Sequence, residues 1–163
     1  MALTRSSART WIPVLTLALA AWVEGRNDPS TDLACLTKSD GTKVFIRGLS
    51  AFAVHPSPFR VGYQVLTRVR VKGIDYIDVM EPLEQVVTAL PGAWARLHVP
   101  GGPLGLEGDV SAFVSPQQIS VIQPSDFRMD DAAVSMTDIV FVNGTKFRVV
   151  EDPAQVSQIL KGA

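Results

Sequence analysis

Few side chains in this chain are of the types that perform acid–base or nucleophilic chemistry. Only His55 and His98 titrate near neutral pH without a shifted pKa, and Cys35 is the single cysteine. His55 precedes a proline at a strand end and His98 lies in an alternating, strand-like stretch, so we expect both to be structural. Cys35 is expected to be a small buried hydrophobic residue. With no histidine or cysteine cluster at ligand spacing, we expect no catalytic residue, no metal site and no cofactor.

Two other polar motifs resemble ligand sites. Asp75, Asp78, Glu81 and Glu84 recur every third residue, as in a site for a hard cation. In a strand, however, Asp75 and Asp78 point to opposite faces, and the glutamates belong to a helix start. The glycine-rich segment 101–108 contains no lysine and lacks the strand–loop–helix setting of a phosphate site, so it predicts a hairpin loop.

An aromatic residue followed by arginine occurs twice, as Phe59-Arg60 and as Phe127-Arg128. In one interpretation, each phenylalanine closes the open end of a sheet while its arginine pairs with a nearby acid. In the other, the two dipeptides form a single contact surface, because aromatic residues and arginine are the usual anchors of protein interfaces. All four residues are therefore interface candidates.

These dipeptides belong to a longer internal repeat. The segment 56–60 matches 124–128 at an offset of 68, and the residues around Gly73 match those around Gly144 at an offset of 71. Gln85-Val86 then matches Gln155-Val156 at an offset of 70. The pattern predicts a duplication, with a first unit at residues 31–92 and a second at 93–163.

Each unit reads as a small antiparallel sheet that ends in a short helix. Glycine turns, Lys72-Gly73 and Asn143-Gly144, predict hairpins. An acid followed by proline, Glu81-Pro82 or Asp152-Pro153, predicts a helix N-cap with proline in the first turn. The strands predicted in the first unit are Leu33–Thr37, Lys43–Ile46, Ser50–Val54, Thr67–Val71 and Ile74–Val79. The fold class is α+β: two tandem units preceded by an apolar N-terminal segment.

The second hairpin also predicts which side chains face the core. With a two-residue turn at Asn143-Gly144, Val140 lies opposite Phe147 on the core face. Ile139 and Phe141 then project from the reverse face, where something must cover them. Both are interface candidates for that reason.

The N-terminal segment, residues 1–30, allows two interpretations. Its first 23 residues contain no acid, and residues 11–23 are apolar but too short to span a bilayer. The segment is either retained and buried in an assembly, with Trp11 and Trp22 at the contact, or it is a signal peptide cleaved near Ala20. Its arginine and serine content would also suit an organellar transit peptide.

The second unit resembles a known family. Its order of strands, Asn143-Gly144, an aromatic residue, Val149-Val150 and an acid–proline step is similar to the small swarming-motility proteins of bacterial flagellar operons. Similar single-unit proteins occur in tailed phages. The resemblance covers about 113–160 and, more weakly, 35–90. Because that family has one unit per chain and no catalytic residues, the resemblance implies a non-enzymatic role.

Composition and resemblance together lead to one expected function. The net charge is −1 and no basic cluster stands out, so nucleic acid is not an expected partner. We expect a non-catalytic structural or assembly protein, a phage virion component in its most specific form, that contacts itself or other proteins. It would lie in the virion or, if unprocessed, the cytoplasm. The alternative is an exported bacterial protein that binds a periplasmic or surface partner; an enzyme ranks third, since no nucleophile–base pair can be assembled.

Overall fold

A computed structural model describes residues 32–126 and 136–163. This part of the chain is rich in antiparallel β-structure and ends in a helix, as predicted. The strands are β1 (Leu33–Thr37), β2 (Lys43–Arg47), β3 (Ala51–Val61), β4 (Gln64–Val71), β5 (Ile74–Val79), β6 (Ala95–Pro100), β7 (Asp109–Val114), β8 (Ile119–Pro124), β9 (Thr137–Phe141) and β10 (Lys146–Val149). The helices are α1 (Leu83–Ala89) and α2 (Pro153–Lys161).

One predicted loop is a strand. The segment that contains Phe59 and Arg60 continues β3 as far as Val61 instead of leaving the sheet. The ladder to β4 is interrupted between Pro56 and Arg60 by a bulge. A bulge fits here because a proline has no N–H group to donate to a neighbouring strand.

A five-stranded sheet joins the first half of the described chain, residues 32–92, to the second half, residues 93–163. Its strand order is β5-β4-β3-β7-β6, beside a two-stranded sheet β1-β2 and a three-stranded sheet β10-β9-β8. The halves meet where β3 pairs antiparallel with β7, with Ala53 opposite Val114 and Val54 opposite Phe113. We call this pairing the β3–β7 seam.

Each half has its own hydrophobic core, and β3 contributes to both. Val54 lies in the first core together with residues of β1, β4, β5 and α1. Phe52 lies in the second core, where its ring centre is 4.6 Å from that of Phe141. The helices bury their apolar stripes through Val86 and Val156.

In the second hairpin the predicted faces of β9 are reversed, whereas Phe147 on β10 lies in the core as predicted. Ile139 and Phe141 are buried in the second core, and Val142 is exposed. Ile139 pairs with Phe147, while Val140 pairs with Lys146, one position away from the predicted register. The cause is a longer connection, in which the Phe141 N–H donates to the Thr145 carbonyl and the turn gains residues. A shift of one residue moves every side chain to the other face of a strand.

The first hairpin departs from its predicted register in a similar way. A two-residue turn at Lys72-Gly73 would place Val71 opposite Ile74, Val69 opposite Tyr76 and Arg70 opposite Asp75. Val71 does lie opposite Ile74, but a bulge inserts one residue and Val69 pairs with Ile77. Arg70 still reaches Asp75 and forms an ion pair with it, at 2.8 Å.

The residues before the two helices make matching contacts. The Glu81 carboxylate accepts the Thr37 backbone N–H at 2.9 Å, and the Glu151 carboxylate accepts that of His98 at 3.2 Å. Glu81 therefore does not cap α1, which corrects the N-cap prediction there. Asp152 does cap α2, because its side chain accepts from the Gln155 N–H while the Gln155 side chain accepts the Asp152 N–H.

Each half also holds an ion pair across the hairpin that precedes its helix; the pair in the first half is almost fully buried, and in the second half the acid is buried while the arginine is partly exposed. Arg68 on β4 binds Asp78 on β5 at 2.8 Å, and Arg148 on β10 binds Asp138 on β9 at the same distance. The base lies on the first strand of the hairpin in the first half and on the second strand in the second half. Both hairpins thus keep one cation and one carboxylate at this position.

Candidate functional site

The turn between β3 and β4 and the strand end before it carry three large exposed side chains, and one of them is the predicted interface residue Phe59. Phe59 is 55% exposed, Val61 is also exposed, and Tyr63 projects fully into solvent. Gly62 makes the turn with a φ of 60°, a backbone conformation that glycine adopts readily. We name Phe59, Val61 and Tyr63 the β3–β4 tip. Clusters of exposed apolar residues usually mark interaction sites.

Arg68 supports the tip from the adjoining strand. Its guanidinium carbon lies 5.4 Å from the centre of the Phe59 ring and 3.5 Å from that of Tyr76. Burial lowers the pKa of Arg68, but the hydrogen bond and charge of Asp78 outweigh that effect and raise the pKa above its ordinary value. The arginine is thus a permanent cation between two aromatic rings, and it limits the freedom of Phe59.

Arg60 links the two halves of the chain. Its guanidinium donates to the carbonyl oxygen of Gly105, at 2.9 Å, in the glycine-rich segment. The predicted partner of this arginine was a nearby acid, whereas the partner found is a backbone carbonyl. The tip is therefore tied both to β4 and to the second half.

His55 is buried, whereas a surface or capping position was expected for it at the end of a strand. Its Nδ1 lies 2.8 Å from the Pro56 carbonyl, and its ring centre lies 5.3 Å from that of Phe147. Within the described residues its Nε2 has no hydrogen-bond partner. Burial, aided by the charges of Arg70 and Arg68, lowers the pKa of His55 to about 4. The ring is therefore neutral at physiological pH and packs as part of the interior.

His98 belongs to a structural contact. Its Nδ1 lies 2.7 Å from Glu151 Oε1, and the backbone carbonyl of Glu151 accepts from the Thr137 hydroxyl at 2.6 Å. The glutamate thereby connects β6, β9 and the start of α2. Across residues 32–126 and 136–163, the acids, histidines and cysteine form no group of three that could hold a metal ion.

The remaining predicted interface residues fall into two groups. Ile139 and Phe141 are buried in the second core and are not surface residues of the described chain. Phe127, Arg128, Trp11 and Trp22 lie outside the described residues. Of the eight predicted interface residues, Phe59 and Arg60 are the two that the structure describes and places at the surface.

Sequence reasoning missed a second exposed apolar area. Phe45, Leu33 and Cys35 share the outer face of the β1–β2 hairpin, where Cys35 pairs with Phe45. Cys35 is exposed, which corrects the expected burial. A signal was available: in the alternation of β2, Phe45 shares its face with Lys43 and Arg47 and not with the buried Ile46.

Comparison of the chain with protein-family models, with curated proteins and with solved structures finds no match. Among the described residues, no helix has the length and apolar character needed to cross a membrane.

Proposed function

We propose that this chain is a tandem duplication of one α+β unit and that it acts as a non-catalytic structural or assembly protein through protein–protein contacts. The order of elements supports the duplication. Each half contains a hairpin followed by a short 3₁₀ turn, three further strands and a helix; the second half has one more 3₁₀ turn, within the loop of its first hairpin. The Glu81 and Glu151 contacts and the hairpin ion pairs occur at the same places in that order.

Strand register supports the same proposal at the level of single residues. In the first half Ala51 lies opposite Val71, and a register shift follows before Ala53. In the second half Ile119 lies opposite Phe141, and a register shift follows before Val121. The offset of 68 between β3 and β8 is the one read from the sequence, whereas β4 and β9 correspond at an offset of 70 and not 71. Bulges persist within families, so a shared bulge favours a shared origin.

The β3–β4 tip is the observation that carries the contact function. Three large side chains are exposed there, and Arg68 and Arg60 hold the strand that bears them. A surface whose side chains are already positioned loses less conformational entropy on binding. The resemblance to single-unit tailed-phage proteins makes a virion the setting that we propose for these contacts, with the cytoplasm as the place of the unassembled chain.

Site-specific photo-crosslinking tests this function. Benzoylphenylalanine replaces Tyr63 or Phe59 in the full chain, which is expressed in the cells that naturally make the protein. Lys72 is the matched control, because it is exposed and lies at the far end of β4, about 25 Å from the tip. We expect discrete protein adducts from positions 63 and 59 and none from 72. No adduct from either tip position, or equal adducts from all three, would refute the proposed contact surface.

A further inference from the structure

The β3–β7 seam shows how one unit covers another. On the β7 side, Phe113 and the neighbouring Trp94 are partly buried against the first core. On the β3 side, Ala53 and Phe52 are almost fully buried, at 0% and 2% exposure. Both edges that meet at the seam are therefore protected from solvent.

The strands equivalent to the seam strands have no such cover in the described chain. In the duplication proposed above, on which this inference rests, β2 corresponds to β7 and β8 to β3. Among residues 32–126 and 136–163, β2 pairs only with β1 and β8 pairs only with β9. Within that part of the chain, one edge of each strand has no strand partner, and a free edge favours pairing with another strand.

Side-chain exposure follows the same correspondence. Phe45 takes the place of Phe113 and is 65% exposed; Val121 takes the place of Ala53 and is 46% exposed. Leu33, the counterpart of Trp94, is exposed as well. Apolar residues that are buried or partly buried at the β3–β7 seam therefore have exposed apolar counterparts on β2 and β8. Because β7 and β3 fit each other at the seam, the edges of β2 and β8 should fit each other as well.

We propose that a second copy of this chain occupies these edges, with β8 of one copy paired antiparallel to β2 of the next. The seam fixes the register. Ala53 opposite Val114 becomes Val121 opposite Ile46, and Val54 opposite Phe113 becomes Ile122 opposite Phe45. The Ser115 N–H donates to the Phe52 carbonyl at the seam, so the Arg47 N–H donates to the Ser120 carbonyl between copies.

The contact is heterologous, because it joins β8 to β2 and not one patch to itself. Each added copy leaves one β2 edge and one β8 edge free. The assembly is accordingly a closed ring or an open filament and not a two-fold dimer. In this assembly, the second half of one copy packs against the first half of the next copy through the same strand pairing that joins the two halves within one chain.

Cysteine pairing tests the register directly. In a Cys35→Ser background, one chain carries Arg47→Cys and another carries Ser120→Cys; both positions are exposed and outside the cores. Facing residues of paired strands lie within reach of a disulfide or a short cross-linker. We expect a covalent dimer when the two chains are mixed and little from either alone. Val142→Cys replaces Ser120→Cys as the matched control and yields no dimer with Arg47→Cys.

Three results would overturn the proposal. Equal cross-linking with the Val142→Cys control would show random collision, and efficient dimerisation of the Arg47→Cys chain alone would show a two-fold contact. A light-scattering mass of 17.6 kDa for the full chain at high micromolar concentration would show a monomer.

Charge substitutions provide a second test that needs no introduced cysteine and no cross-linking. Phe45→Glu or Val121→Lys each places a charge in the proposed contact and should weaken self-association by roughly tenfold or more. Ile74→Lys, at an exposed apolar position outside the contact, should leave it unchanged. Self-association that survives both edge variants would overturn the β8–β2 interface. The photo-adducts from the tip do not depend on these edges, so that failure is distinguishable from failure of the proposed function.

Discussion

The burial of His55 predicts that mild acid weakens the fold. The folded-state pKa is about 4, against 6.5 for the free side chain, so the unfolded chain binds a proton more readily than the folded chain below pH 6.5. Above pH 6.5 the ring is neutral in both states and the effect vanishes. Stability is therefore lost as the pH falls from about 6.5 towards 4.

The size of this loss follows from the two pKa values. Linkage gives about 2 kcal/mol at pH 5, rising to about 3 kcal/mol below pH 4. An effect of this size fits the position of His55, because its ring is only 5% exposed and the charges of Arg70 and Arg68 disfavour its protonation. The hydrogen bond to the Pro56 carbonyl and, more weakly, the charge of Asp78 act in the other direction, but burial outweighs both and the pKa remains about 4.

Urea unfolding at about pH 7.5 and pH 5, followed by tryptophan fluorescence, measures the loss. His55→Gln is the matched variant, because Gln123 takes the place of His55 in the proposed duplication. It should be less stable at pH 7.5, having lost the ring contact with Phe147, yet change by less than about 1 kcal/mol on acidification. His98→Gln controls for the other histidine. Equal losses in the wild-type chain and in His55→Gln would refute the assignment to His55.

Two further predictions concern the hairpins that precede the two helices. Asp78→Asn should lower the free energy of unfolding by about 3 kcal/mol, because it leaves the buried guanidinium of Arg68 without its carboxylate. The double exchange Arg68→Asp with Asp78→Arg should recover more than half of that loss, since the second half holds its pair in this order. Gly144→Val should cost more than about 1 kcal/mol, because its φ of 82° strains a β-branched residue while the space around it is open.

Thermal or urea unfolding at neutral pH checks these variants. If the double exchange is no more stable than Asp78→Asn, the surroundings of β4 and β5 require arginine at 68 and aspartate at 78, and an ion pair in the opposite order does not suffice. Gly144→Ala provides the control for the turn, and a Gly144→Val chain as stable as the wild type would contradict the strain argument.

The local part of the fold was predictable from the sequence. β1 and β5 have the predicted bounds because alternating apolar residues end at glycine turns, and both signals are short-range. The N-cap at Asp152 was predictable for the same reason. The cap expected at Glu81 was not found, because Thr37, 44 positions away, uses that carboxylate.

Register and long-range packing were not predictable from the sequence. The faces of Ile139 and Phe141 depend on whether the turn after β9 contains two residues or three. The alternation of apolar and polar residues is compatible with both turn lengths. His55 is buried because β3 packs against Phe147 of the second half, a contact that no local pattern encodes. Of the candidate site, the Phe59-Arg60 dipeptide could be predicted, but the exposed Tyr63 and Phe45 were missed.

The opposite order of acid and base in the two hairpin ion pairs bears on folding fidelity. A chain that contains two similar hairpins can pair a strand of one with a strand of the other while it folds. If β4 paired with β10, Arg68 would meet Arg148; if β9 paired with β5, Asp138 would meet Asp78. Either exchange would bury two like charges, which is far less favourable than the native pairs. The opposite order would therefore disfavour pairing a strand of one hairpin with a strand of the other, and the double exchange at Arg68 and Asp78 would remove that difference.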